Sequence, residues 1–109
     1  NDDPMTDWLY TRALWLFRKD GATERASAAL VKAFIQNPFV PLYMVGLLQM
    51  PDEPPDYDSI EAGGDKEAVE YVGMNGLAWV DTEGAMQWFI DILIKAKDKL
   101  PFGKMKREA

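Results

Sequence analysis

The stretch RALWLFRKDGATERASAALVKAFIQNP, residues 12–38, constrains the fold more than any other part of the chain. Two runs with apolar residues three or four apart are split by Lys19-Asp20-Gly21 and stopped by Asn37-Pro38, the pattern of two amphipathic helices joined by a tight turn. Each helix has an apolar face that must be buried. Two helices alone cannot bury both, so the pair calls for further helices packed against it.

The same signals recur along the chain. The first helix is expected from Met5 to Lys19, with Asp2 and Asp3 near its start, Pro4 tolerated in the first turn and Gly21 free to turn left-handed past its end. The second runs from about Thr23, its N-cap, through Glu24 to Gln36, because the residue before Pro38 is pushed out of the helical region. Pro41 can open a third helix reaching about Met50, where Pro51 and Pro54-Pro55 stop it. Residues 51–64, PDEPPDYDSIEAGG, read as an acidic, proline-rich loop.

Asp65 then caps a fourth helix to about Asn75. Gly73 and Gly76 each weaken a helix by about 1 kcal/mol relative to Ala, so GMNGLAW predicts an irregular turn, with Trp79 plugging the core there. Thr82 caps a long fifth helix with Glu83 in its first turn and Lys95, Lys97 and Lys99 toward its end, each sign matching the macrodipole. Pro101 ends that helix, and residues 101–109 form a basic tail. The expectation is one all-α domain, residues 1–109, of about five helices.

Composition agrees with one small core. A chain of 109 residues with 48% hydrophobic content can bury roughly 65% of the surface its unfolded form exposes. There is no cysteine and no histidine, which removes disulfides, thiolate metal sites, thiol nucleophiles and the commonest general base. The net charge of −6 is uneven: residues 1–50 balance, 51–100 carry twelve acids against four bases, and 101–109 one acid against three bases. So acidic a centre repels phosphate and anionic lipid, so neither nucleic acid nor membrane is the expected partner. No apolar run approaches a membrane span, no signal-peptide pattern is present, and the expected location is cytoplasmic. The opening Asn-Asp-Asp, without an initiator Met, is what a piece of a longer chain would show.

Residues 7–40 resemble one tetratricopeptide repeat, a 34-residue helix-turn-helix unit. Tyr10, Ala13, Leu14 and Phe17 fall at its first-helix packing positions, with Ala13 where leucine is usual. Ala26, Leu30, Ala33 and Pro38 fall at the small, bulky, small and terminating positions of its second helix. Adding 34 to Tyr10, Ala13 and Leu14 gives Met44, Leu47 and Leu48, so residues 41–50 read as a second repeat truncated at Pro51. The runs NPFVPLYMVG, PPDYDSIEAGGDKEAVEY and WVDTEGAMQWF are similar to the C-terminal segment of uncharacterised bacterial tetratricopeptide proteins, a resemblance that brings no known activity. It implies a helical hairpin followed by a divergent C-terminal pair, residues 65–100, that caps the array.

The candidate site lies on the first helix. Leu9, Tyr10, Ala13, Leu14, Leu16 and Phe17 form one broad arc, whereas Trp8 and Trp15 stand nearly above one another on a different side with Arg12 close by. Either the tryptophans are buried by an upstream repeat, by the C-terminal helix or by a second copy, or Trp8, Arg12 and Trp15 form a partner-binding hot spot, being residue types that dominate interfaces.

The acids Asp52, Glu53, Asp56, Asp58, Glu61 and Asp65 invite a cation, but after Asp56 and Asp58 the next alternate position is Ile60. Glu61 occupies the place of the EF-hand glycine. Gly63-Gly64 before a helix lacks any phosphate-loop spacing, and Ser27, Ser59 and Lys66 have nothing to activate them. The reading is a non-catalytic protein interaction or scaffold module with a protein, peptide or self partner and no cofactor, metal or catalytic residue. The alternative is a hydrolytic or cation-binding domain using the loop carboxylates.

Overall fold

In the computed structural model, which describes residues 5–53, 60 and 62–101, the described chain is all-helical. The five helices are α1 (Thr6–Asp20), α2 (Glu24–Gln36), α3 (Phe39–Met44), α4 (Asp65–Asp81) and α5 (Ala85–Ala96), followed by a 3-10 turn at Lys97–Lys99.

The first hairpin forms where its local signals place it. Asp7 lies in the first turn of α1 and Arg18 and Lys19 in the last, each opposite in sign to its end of the macrodipole. Gly21 takes φ 81°, ψ −157°, an extended mirror-image conformation open only to glycine, rather than the left-handed helical one. Its N–H still closes on the Phe17 carbonyl at 2.7 Å. Thr23 caps α2, its hydroxyl accepting from the Ala26 N–H at 3.0 Å. Ala13, Ala26 and Ala33 are fully buried, and these small side chains let α1 and α2 approach closely.

A second hairpin, α4–α5, stacks on the first with like helices side by side. Thr6 meets Glu67, and Ser27 meets Trp88, each pair 61 residues apart. Arg18 further along α1 donates to Thr82 Oγ1 at 2.8 Å and to the Ala78 carbonyl at 3.3 Å, far along α4. Thus α4 runs parallel to α1, and α5 lies beside α2. The aromatic core locks the two units: Phe34 meets Phe89 edge-on at 5.1 Å and Phe89 meets Trp79 edge-on at 5.2 Å. Trp88 stacks on Phe17 at 4.6 Å. Edge-on and offset aromatic pairs add about 0.5–1.5 kcal/mol each beyond the area they bury.

Three sequence expectations need correction. The helix expected over residues 41–50 is α3, Phe39–Met44; it opens at Pro38, with Pro41 in its first turn, and ends because Gly46 takes φ 83°. The unit that stacks on α1 is therefore α4, 61 residues on, and not the segment 34 residues on. The irregular turn expected at GMNGLAW is absent, for α4 runs unbroken through Gly73 and Gly76 to Asp81. Helical continuation brings Trp79 to 0% exposure and its Nε1–H to the Tyr71 hydroxyl at 2.9 Å. Truncating so buried an aromatic costs about 3–5 kcal/mol, more than two glycines cost together. Finally, Gly64 and Gly84 are the N-caps of α4 and α5, in place of Asp65 and Thr82. Thr82 instead ends α4, its hydroxyl donating back to the Ala78 carbonyl at 2.7 Å.

Candidate functional site

Burial of Leu9, Tyr10, Ala13, Leu14 and Leu16 fixes the rotation of α1, and with it the side that must face outward. Trp8 and Trp15, seven residues apart, stand on that side, each 56% exposed. The C-terminal helices therefore do not cover them. Arg12 is half-buried, its guanidinium carbon 5.8 Å from the Trp8 ring centroid, and Lys19 Nζ lies 5.2 Å from the Trp15 centroid. Each indole thus carries a cation over its face, an arrangement worth about 0.5–1 kcal/mol at an exposed site.

Met5, Asp7, Trp8, Thr11, Arg12 and Trp15 line an open groove of about 710 Å³. The structure brings the three sequence-predicted residues, Trp8, Arg12 and Trp15, together in it. Its surface is apolar with a few polar groups at the rim, which suits another protein's side chains. On α4, Met74, Leu77 and Val80 are also largely exposed.

The other sequence candidates resolve differently. Ser27 Oγ accepts from Trp88 Nε1 at 3.1 Å and belongs to the packing between the hairpins. The Gly63 N–H donates to Glu67 Oε1 at 2.8 Å, so the chain's own carboxyl occupies the cradle that an anion would use. Asp52, Glu53 and Lys66 are exposed, and Asp65 accepts from the Tyr43 hydroxyl. Asp56, Asp58, Ser59, Glu61 and residues 102–109 of the basic tail lie outside the described residues. Among the described residues no three acidic side chains gather as a metal site would require.

The sequence reading missed a buried polar node. Glu67 Oε1 accepts from the Thr6 hydroxyl, from Asn37 Nδ2 at 3.0 Å and from the Gly63 N–H at 2.8 Å. Asn37 Nδ2 also reaches the Gly64 carbonyl at 2.9 Å, its Oδ1 accepts from the Phe39 N–H at 3.0 Å, and its carbonyl accepts from the Tyr10 hydroxyl at 2.8 Å. One signal was available: Glu67 is the third residue of a helix, where a carboxylate commonly folds back to cap the N-terminus. Its long-range partners on α1 and after α2 had no local signature.

Burial raises the Tyr10 hydroxyl well above its usual range, helped by neighbouring Tyr71. Tyr71 is raised in turn by burial, an effect opposed by hydrogen bonds from Thr11 and Trp79. Tyr43 is pushed up to about 12, first by desolvation and then by its hydrogen bond and charge interaction with Asp65.

The chain matches no family model, no curated protein and no solved structure among those compared. Among the described residues no helix is long and apolar enough to cross a membrane.

Proposed function

We propose that this chain is a non-catalytic protein-interaction module of the tetratricopeptide type, docking a partner on the outward face of α1 through Trp8, Arg12 and Trp15. The observation that carries the reading is the exposure of both indoles on a helix whose opposite face is fully packed. Exposed large aromatics side by side mark interaction sites on soluble domains. Each is a rigid anchor of large area, and Arg12 adds the third residue type enriched in binding hot spots. The parallel stacking of two hairpins supports the repeat-type part of the reading, since such arrays present like helices in a row.

A photo-activated cross-linker tests it directly. With p-benzoylphenylalanine at Thr11, inside the groove, irradiation in cells is expected to trap a discrete protein adduct. The same group at Ala28, exposed on α2, is expected to trap none. Equal labelling from both positions, or none from Thr11, would remove the reading.

A further inference from the structure

We infer that Asn75–Gly76 in α4 is a self-modification site: the closed helix holds it inert, and opening of the middle of α4 lets the chain convert its own asparagine to aspartate or isoaspartate. The site needs no partner and stands independently of the α1 face.

The reaction needs only these two residues and water. The backbone nitrogen of Gly76 attacks Asn75 Cγ, a C–N bond forms, the Cγ–Nδ2 bond breaks, and Nδ2 leaves as ammonia with the proton of the Gly76 N–H. Water then opens the cyclic imide at one carbonyl or the other, giving aspartate or isoaspartate. Glycine in the second place leaves the attacking nitrogen unshielded, because it has no Cβ. The chain has three asparagines, Asn1, Asn37 and Asn75. Asn37 precedes Pro38, which has no N–H to give up, so it cannot follow this route and serves as an internal control.

The closed helix blocks the attack at both atoms. α4 is continuous from Asp65 to Asp81, so the Gly76 N–H is turned along the axis toward the carbonyl four residues back. Asn75 Nδ2 donates to the Tyr71 carbonyl at 3.2 Å, which holds the amide back along the helix. Ring closure requires both bonds to break and the Asn75 backbone to leave the helical well. The same stretch is where α4 opens most readily. Gly73 and Gly76 each weaken the helix, and neither is needed to admit a neighbour: an added Cβ would come no closer than 3.8 Å to Met50 Cε and 3.5 Å to Val72 Cγ1, ordinary contact distances. Gly73, Met74 and Leu77 are exposed around a half-buried Asn75, so water reaches the opened turn and little packing opposes its opening. Isoaspartate carries the backbone through the side-chain carbon, adding an atom to the chain path between Tyr71 and Trp79, whose hydroxyl and indole N–H meet at 2.9 Å in the closed helix.

Site-resolved mass spectrometry during incubation at mildly alkaline pH tests the inference, on the folded chain and on the chain unfolded in guanidinium chloride. Asn75 is expected to gain the mass of an amide-to-acid exchange in both, about tenfold or more slowly in the folded chain, since only its open fraction reacts. Asn37 should stay unchanged in both. Gly73→Ala alters α4 without touching the reacting pair, so its folded rate should follow its melting temperature, slower by up to about fivefold if that rises and faster if it falls, while its unfolded rate equals the parent's. The modified fraction, separated by ion exchange, should melt below the parent; an equal midpoint would contradict the disturbed pairing of Tyr71 with Trp79. An unfolded chain that keeps Asn75 intact removes the site. A folded chain that reacts as fast as the unfolded one, or a Gly73→Ala chain whose folded rate does not follow its stability, removes the gate in α4.

Discussion

Glu67→Ala strands donors that have no other acceptor, and the structure gives the size of the effect. Thr6 is fully buried, and its hydroxyl loses the Glu67 oxygen. The Gly63 N–H loses the same oxygen, whereas the Asn37 amide keeps the Gly64 carbonyl at 2.9 Å. Each stranded buried donor costs about 1–3 kcal/mol. Two of them, eased by some water entering beside a half-buried side chain, imply a loss of about 2–4 kcal/mol. That is a large part of the roughly 5–15 kcal/mol available to a domain of this size. Urea unfolding followed by tryptophan fluorescence should show a lower midpoint with an unchanged slope, since the surface exposed on unfolding is the same. Glu67→Gln keeps one acceptor oxygen and should lose about half as much. A Glu67→Ala midpoint equal to the parent's would refute the node as the fastening between α4 and the first hairpin.

Ala33→Leu adds methylenes where α1 and α2 are closest and should lower stability by about 1–3 kcal/mol or more, read by thermal melting. Gly73→Ala and Gly76→Ala should each raise stability by up to about 1 kcal/mol. At Gly73 an added Cβ comes no closer than 3.8 Å to a Met50 side-chain atom, and at Gly76 no closer than 3.5 Å to Val72; a fall in either melting temperature would show hidden crowding. Alkaline pH should destabilise the fold, because Tyr10, Tyr43 and Tyr71 hold their protons more tightly when folded. Unfolded tyrosine ionises near pH 10, so their contribution is complete below about pH 10. For Tyr43, at about 12 in the fold, it is lost as pH rises between those two values. Melts across that range, with tyrosinate absorbance in parallel, should show the loss, and Tyr43→Phe should lessen it.

The first hairpin was legible because its signals are local. Thr23 bonds within its own first turn, Pro38 excludes the preceding residue from the helix, and Gly21 marks the break whichever positive-φ conformation it takes. The course of α4 was not legible, because two glycines argue against helix one residue at a time. Trp79 and Tyr71 argue for it only once α5 and α1 are in place. The caps at Thr82 and Asp65 were misread for a related reason: the Thr82 hydroxyl turns to Ala78 and Arg18, a choice set by an element 60 residues away or more. Trp8, Arg12 and Trp15 could be singled out because a side chain's angle around a helix follows from sequence spacing alone. The neighbour of α1 could not, since the 34-residue phase pointed to α3 where the structure places α4.

The cross-linking yield at Thr11, measured with and without Trp8→Ala and Trp15→Ala together, tests the central claim most directly. Both indoles stand half in solvent, so the double variant is expected to keep its helical circular dichroism and melt close to the parent while the Thr11 adduct disappears. If instead the double variant unfolds, at the roughly 3–5 kcal/mol per residue that a core aromatic costs, or keeps the adduct undiminished, Trp8 and Trp15 are not the anchors of an interaction surface.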